Sequence, residues 1–498
     1  MLTHRLLVAA LAACLLVTGC QDDQNEPNPN PGPGTGQGAN RLIAHAGTNQ
    51  VAPVGTTVTL DGTQSRDTEN RPFTFRWALL SRPAGSASAI LLADMPRPTF
   101  VPDKPGEYKI ELTLSNGGGE TAKAEVTVVA SPAATAVLDA TIGQRTVLPD
   151  LVTDPNVPDY LANGSVVVNA ELVVMPGVTI GFARDARLTI NTGGILIAEG
   201  TATQKVRFIG QQATKGFWQG IFISSASNAN SLGYAEVLHT GSSSPTSVKA
   251  GLTVNANGQL GVKNSLFSFS DGYGLHLSSS SLLREFAHNT FSSNSEAGLY
   301  LPAKHVSKLD AASRFTGSNG RDVVEINHGT LSNLPEAVWP SFTDGTPYRL
   351  LVDLGISSGL KLSPGVQLQL GPNASINVNS SGYLSAIGTA SNRITITGTQ
   401  PNQGHWDGIG YSFAASAQNV LEYVDLSGGG GQRLGATNKG NLVLHGNGAS
   451  ASRVTVRNCT VRNSGGYGIV VGFGTSLNAD AATVNTFSGN AQGTIVTE

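Results

Sequence analysis

The sequence predicts an all-β protein: a small β-sandwich followed by a long parallel β-solenoid made of two duplicated halves. Three observations carry that prediction. Turn formers are abundant and charge is scarce, with 60 glycines and only 13% charged residues in 498, about half the usual charged share. The stretch "GTATQKVRFIG…GFWQGI" from Gly200 returns from Gly388 as "GTASNRITITG…GHWDGI", 188 residues on. Inside each copy runs a shorter rhythm: Phe267 and Phe291 are 24 residues apart, as are Gly274 and Gly298. A period in the twenties, with strand-sized apolar runs and no helical periodicity, belongs to strands coiled into stacked rungs.

The first segment, residues 1–19, opens with "MLTHR" and continues into the apolar run "LLVAALAACLLVTGC". A short positive start, an apolar run and small residues at its end form a secretory leader. The run is too short to remain as a membrane-spanning helix. Its last four residues, "VTGC" at Val17–Cys20, resemble the lipobox of bacterial lipoproteins. That resemblance implies cleavage after Gly19 and acylation of Cys20, whose acyl chains would form a durable membrane anchor. In Gram-negative lipoproteins Asp after the Cys favours the inner membrane; here that residue is Gln21, so the resemblance implies the outer membrane. Residues 20–40 carry the lipidated Cys and then a Pro, Gly and Asn-rich stretch. Such a composition cannot bury enough surface to fold, and it reads as a semi-extended tether.

Residues 41–131 read as short alternating strands between turn clusters, the pattern of a β-sandwich. "TTVTLDG" and "YKIELTLSNGGG" alternate cleanly, and "FTFRWALL" puts Trp77 where a buried strand needs a large anchor. In order and spacing, the whole block resembles a polycystic-kidney-disease-type (PKD) domain, an Ig-like sandwich. The resemblance implies a spacer or weak binding unit outside the cell. Asp61, Ser65 and Asp67 form an Asx-rich turn. A Ca2+ ion at Asp61 and Asp67 is the metal reading, but a hard cation gathers six or more oxygens, and an ordinary hydrogen-bonded turn is preferred.

Residues 132–320 and 321–498 are the two copies of the solenoid. Pro176 matches Pro364 and Gly177 matches Gly365, both at an offset of 188. Later the offset drifts, with Tyr234 matching Tyr423, Tyr273 matching Tyr467 and Phe291 matching Phe487, as small insertions at turns would produce. "NTFSSN" at Asn289 and "NTFSGN" at Asn485 repeat one turn chemistry. Asn tolerates left-handed backbone, and stacked Asn amides bond from rung to rung. These repeats resemble right-handed parallel β-helix repeats. Strand alternation then points Cys459 and Val461 inward, like Ser265 and Phe267, and buries Phe291 and Phe487 at matching positions.

The chemistry is less marked. Net charge is −3 and no basic run occurs, which argues against nucleic acid as a partner. Of three cysteines two lie in the leader, leaving Cys459 as a small core residue. Trp218 and Trp406 recur with their flanking Gly and Ile while the polar neighbour changes from Gln219 to Asp407. That pattern marks packing anchors; a sugar-stacking platform is the alternative ligand-binding reading. Glu236 and Asp425 occupy equivalent places in different copies, too far apart to act on one bond. The histidines His239, His276, His405 and His445 have no metal-ligand spacing. One carboxylate pair comes near in a 24-residue frame, Asp271 and Glu296, the candidates for acid/base catalysis. The second copy replaces them with Gly465 and Gln492, and solvated turn residues are the preferred reading.

The sequence is thus read as a lipid-anchored, non-enzymatic protein of the outer membrane that presents a β-helix for adhesion or for binding a polysaccharide or cell-surface glycan, with no cofactor. A polysaccharide lyase or glycoside hydrolase on the same anchor is the second reading, resting on fold analogy alone.

Overall fold

The computed structural model describes residues 41–131, 135–152, 154–447 and 451–498. Leader, Cys20 and tether lie outside them.

In the sandwich, a four-stranded sheet takes the order Gln50–Pro53, Thr121–Ser131, Gly106–Asn116, Phe73–Ser81. Facing it are three short strands, Val58–Thr59, Thr99–Phe100 and Ile90–Leu91. Alternation builds the core: Tyr108, Ile110, Leu112 and Leu114 are fully buried, while Glu107 and Lys109 between them face water. Trp77 is buried too, and its indole N–H donates to the Met95 carbonyl at 3.1 Å, which satisfies the one polar atom that burial strands.

The solenoid is a parallel β-helix with three faces. In the first half the strands of each rung join, in turn, a seven-stranded sheet, a fourteen-stranded sheet and a six-stranded sheet. All of these ladders are parallel, and they stack like on like: Phe267 pairs with Phe291 in register, and their rings lie 5.2 Å apart and nearly parallel. Phe291 stacks in turn on Phe315 at 5.1 Å. Cys459, Val461, Ser265 and Phe267 all point into the coil. Asn amides close the corners. The Asn294 Oδ1 accepts from the Ser270 N–H at 3.1 Å and its Nδ2 donates to the Phe267 carbonyl; Asn490 repeats this on Ser464 and Val461.

Two expectations need correction. Rungs are not uniformly 24 residues long; register partners are 20 apart at Tyr160 and Ile180 and 35 apart at Leu421 and Val456, because turns absorb insertions without disturbing the ladders. Phe487 is only half-buried, since its strand, Thr486–Ser488, ends the fourteen-stranded sheet and has a neighbour on one side only.

A third feature was invisible to the repeat analysis. Tyr160–Ala162 belongs to the seven-stranded first-face sheet, yet its counterpart 188 residues on, Tyr348–Leu350, belongs to the fourteen-stranded sheet. The second half is therefore the first half advanced by one face. The shift happens between 303 and 320. After Ala297–Pro302 the chain makes a 3-10 helix, Ala303–Lys308, and passes the first face with a single bridge from Arg314 to Thr290. It then lays Arg321–His328 on Ala297–Pro302. The first strand of copy two thus lands on the middle strand of copy one.

Phe291→Ala is expected to cost about 3–5 kcal/mol through the cavity it leaves, and Phe487→Ala clearly less. Denaturant midpoints of the two variants measured side by side check this; equal losses would contradict the burial difference.

Candidate functional site

The residues singled out from sequence occupy different settings. Trp218 and Trp406 are fully buried. Trp218 stacks on Phe182 at 4.1 Å, and its Nε1–H donates to the Leu238 carbonyl at 2.7 Å; Trp406 donates likewise to Ser427 at 2.8 Å. Neither indole shows a face to solvent, so a sugar ring has no access to them. Asp271 is exposed and paired with Lys249 at 2.9 Å, and its neighbour on the next rung is Ser295, whose hydroxyl donates to it at 3.2 Å. Glu296 pairs with Arg321 instead. Each carboxylate thus has its own cation.

Asp61 and Asp67 also have separate partners. Asp61 accepts from the Thr63 hydroxyl and N–H and pairs with Arg97; these donors hold its pKa at about 2. Burial pushes the Asp67 carboxyl up, but hydrogen bonds from Arg71, the Glu69 N–H and Asn116 outweigh it and hold it at about 2. Asp185 and Asn373, one turn in two copies, share a left-handed φ of 60° and 61°, which Asp and Asn tolerate. Their polarity needs no further role.

The most developed polar surface lies where the two halves meet. One row of register partners crosses the fourteen-stranded sheet: His276, Tyr300, Glu325, Arg349 and Gln369. The first two belong to copy one and the last three to copy two. Tyr273 joins the row, its ring stacked 4.6 Å from that of Tyr300, which in turn lies 5.4 Å from the His276 imidazole. The two tyrosine side chains are half-buried, with their rings along the outer face.

Beside these rings sits an ion cluster. Glu325 has a side chain only 2% exposed, and its Oε1 lies 2.6 Å from Arg321 and 3.9 Å from Arg349. The Tyr273 hydroxyl donates to its other oxygen at 2.7 Å. Burial, and then the hydrogen bond and charge of Glu325, push the Tyr273 phenol well above its ordinary range. Glu325 holds the Arg321 guanidinium charged against the cost of burying it. His276, 7% exposed, is pushed down to about 4 by burial, and its Nδ1 has no protein partner.

The duplication serves as an internal comparison. Tyr467 stands where Tyr273 does, but the row beside it reads Val470 and Val496 in place of His276 and Tyr300. Among the described residues the aromatic and ionic surface therefore occurs once, at the seam. Sequence reasoning named Tyr273, His276 and Glu296 but missed Tyr300, Arg321 and Glu325, whose meeting depends on the one-face shift. Chemically the seam offers the outer edges of a stacked aromatic column beside hydrogen-bonding groups, an apolar strip with a polar border.

Comparison with known proteins bears on the sandwich. Residues 46–130 match a family described as a PKD domain, so the chain carries a PKD-type domain ahead of its β-helix. Among solved structures, the chain is similar to the PKD domain from the KIAA 1837 protein, at 23% identity over 20% of this chain and 91% of that one, with a TM-score of 0.16. It is also similar to a nucleoside hydrolase-related hypothetical protein from Saccharophagus degradans that is associated with carbohydrate metabolism, at 17% identity over 18% of this chain and a TM-score of 0.16. The match spans 25% of that structure's chain. The search of curated proteins found no match.

Arg321→Met should destabilise the seam by about 3–5 kcal/mol, because it leaves Glu325 buried with its charge uncompensated, and Glu325→Gln in the same chain should restore part of the loss. Equilibrium unfolding of the single and double variants reads this directly. The buried histidines set a second expectation. His276 and His305 have pKa values of about 4, both lowered chiefly by burial. Unfolded histidine takes its proton near 6.5, so between pH 6.5 and 4 the unfolded chain binds more protons. Stability should fall as pH drops through that window, and less steeply in His276→Phe. An unchanged slope in that variant would count against a buried neutral imidazole.

Proposed function

We propose that the protein is a lipid-anchored, extracytoplasmic binding protein: Cys20 fixes it to the outer membrane, the PKD-type domain acts as a spacer, and the β-helix binds a glycan at the seam without cleaving it. The single observation that carries the binding role is the stacked Tyr273–Tyr300 pair on the outer face of the sheet. A pyranose has an apolar face and a polar rim. The hydrocarbon edges of the ring stack give the first an apolar contact, and Arg321, Glu296 and Arg349 stand at hand for the second.

The non-enzymatic reading is supported by the state of the carboxylates. Acid/base cleavage of a glycosidic bond needs two carboxyl groups facing the same bond. Asp271 and Glu296 are each tied to a cation of their own, and Glu325 is enclosed by Arg321 and Tyr273. The anchor is supported by the lipobox-like "VTGC", while among the described residues no helix is long and apolar enough to cross a membrane.

Screening the protein against a glycan array should give binders whose signal drops at least tenfold in Tyr300→Ala, with no reducing ends or unsaturated products released from the same glycans. Binding that survives this substitution would remove the seam from the proposal. Cys20→Ser should move the protein from the membrane to the soluble fraction, and unchanged partition would remove the anchor.

A further inference from the structure

On the first face of copy one, away from the seam, lies a cavity of ≈ 410 Å³ lined by Asp150, Gly177, Gln204, Lys205, Arg207 and Glu236, among others. Its floor is a charge triad. Glu236, 13% exposed, accepts from Lys205 at 2.8 Å and from Arg207 at 3.0 Å. Two cations share one carboxylate, so the triad keeps one positive charge in excess. Arg207 also donates to the Pro155 carbonyl at 2.7 Å, which fixes the cavity wall.

The opposite side holds two carboxyl groups of unequal character. Asp159 is 1% exposed and accepts three backbone N–H groups, from Leu151, Val152 and Thr179, at 2.6 to 2.7 Å. Asp150, though exposed as a residue, turns its carboxyl against Asp159 and Gly177; a Cβ on Gly177 would stand 2.5 Å from the Asp150 Oδ2. Burial of that carboxyl, then the charge and hydrogen bond of Asp159, push it up to about 6. The groups that face it are Asp159 and Tyr160 from its own loop and the following strand, Lys205 and Arg207 two rungs further on, and Glu236 on the third.

Copy two lacks this arrangement. Arg393 and Asp425 keep the pair that Lys205 and Glu236 make, at 2.9 Å, but Thr395 stands for Arg207 and Pro347 for Asp159. Ser341 stands in the place of Asp150, next to the Pro340 carbonyl that accepts from Tyr348 as Pro149 accepts from Tyr160. The ion pair common to both copies is thus the structural part, and the first half has added the surplus cation and the carboxyl pair.

We propose that this cavity binds a small hydroxylated carboxylate, its carboxylate seated on Lys205 and Arg207 and its hydroxyls on Asp150, Gln204 and Glu236. The triad's one surplus positive charge matches one carboxylate, since Asp159 is buried outside the lining with its oxygens met by three backbone N–H groups, and the polar rim matches the hydroxyls. Ionisation of Asp150 adds a negative charge that cancels the surplus, so the site fills at acidic pH and empties as pH rises. The ligand chemistry has two sources, a free hydroxy acid or the acidic unit of a glycan.

Calorimetric titration of the detergent-solubilised full chain with glucuronate, lactate and glucose, at pH 5 and pH 8, tests this. Glucuronate should bind at pH 5 at least about tenfold more tightly than at pH 8, in step with the neutral fraction of Asp150, and glucose should give no heat. Lactate as tight as glucuronate assigns the free acid, and weaker lactate the sugar-borne one. Arg207→Thr, the residue of the second half, should abolish binding at an unchanged melting midpoint. Asp150→Asn should bind equally at both pH values, and this variant carries the test if Arg207→Thr fails to fold. No heat with either acid, equal binding of glucose, full binding by a folded Arg207→Thr protein, or an Asp150→Asn protein that keeps the pH dependence would each overturn the proposal.

Discussion

The molecule depends on one constraint: each strand of the solenoid must lie in register on the strand beneath it. Parallel ladders leave little freedom once like side chains are stacked, since a slip of one residue would turn every inward side chain outward. Phe267 over Phe291 over Phe315 is that constraint made visible, and the Asn amides at the corners hold the chain in it. Because each corner Asn both accepts a rung-to-rung N–H and donates to a carbonyl, backbone groups at the bends, which the sheets cannot satisfy, are paired. Turns are then free to vary in length, and they do.

This division of labour explains how a surface can arise that neither repeat contains. The ladders care only that some strand covers the last one, not which strand of the repeat it is. When the chain covered one extra face at 303–320, Arg321–His328 met Ala297–Pro302 and the inward pattern continued unbroken. On the outside, however, residues with no common history were brought side by side. Tyr300 came to stand beside Glu325, and Arg321 between Glu296 and Glu325.

Much of the fold was legible because inward positions are dictated by period. Trp77, Phe267 and Cys459 could be placed from alternation alone, and Trp218 and Trp406 from recurrence with their small neighbours. The seam was not legible, for two physical reasons. Its members come from separate rungs, so no linear motif unites them, and the join sets a strand of copy two on a strand of copy one that is not its counterpart in the repeat. Asp271 and Glu296 lie one residue off the 24-residue frame, and Ser295, which that frame places opposite Asp271, is its neighbour. Glu236 was noticed for its recurrence with Asp425, yet its setting beside Arg207 came from a residue in which the copies differ. Differences between copies marked the candidate sites better than likenesses did.

The shift at 303–320 fixes the directions in which equivalent features look. One repeat occupies seven full turns and one further face, so the outer groups of copy two look out about a third of a turn away from their counterparts in copy one. Lying along a flat polymer or a membrane, the molecule could never engage it with both copies of the same feature, and in this sense it is built to be monovalent on planes. A third repeat would look toward the remaining side, and a fourth would again stand over the first. Lengthening the array by duplication would therefore distribute a feature around the axis, as on a spiral stair, and would not line it up along one edge.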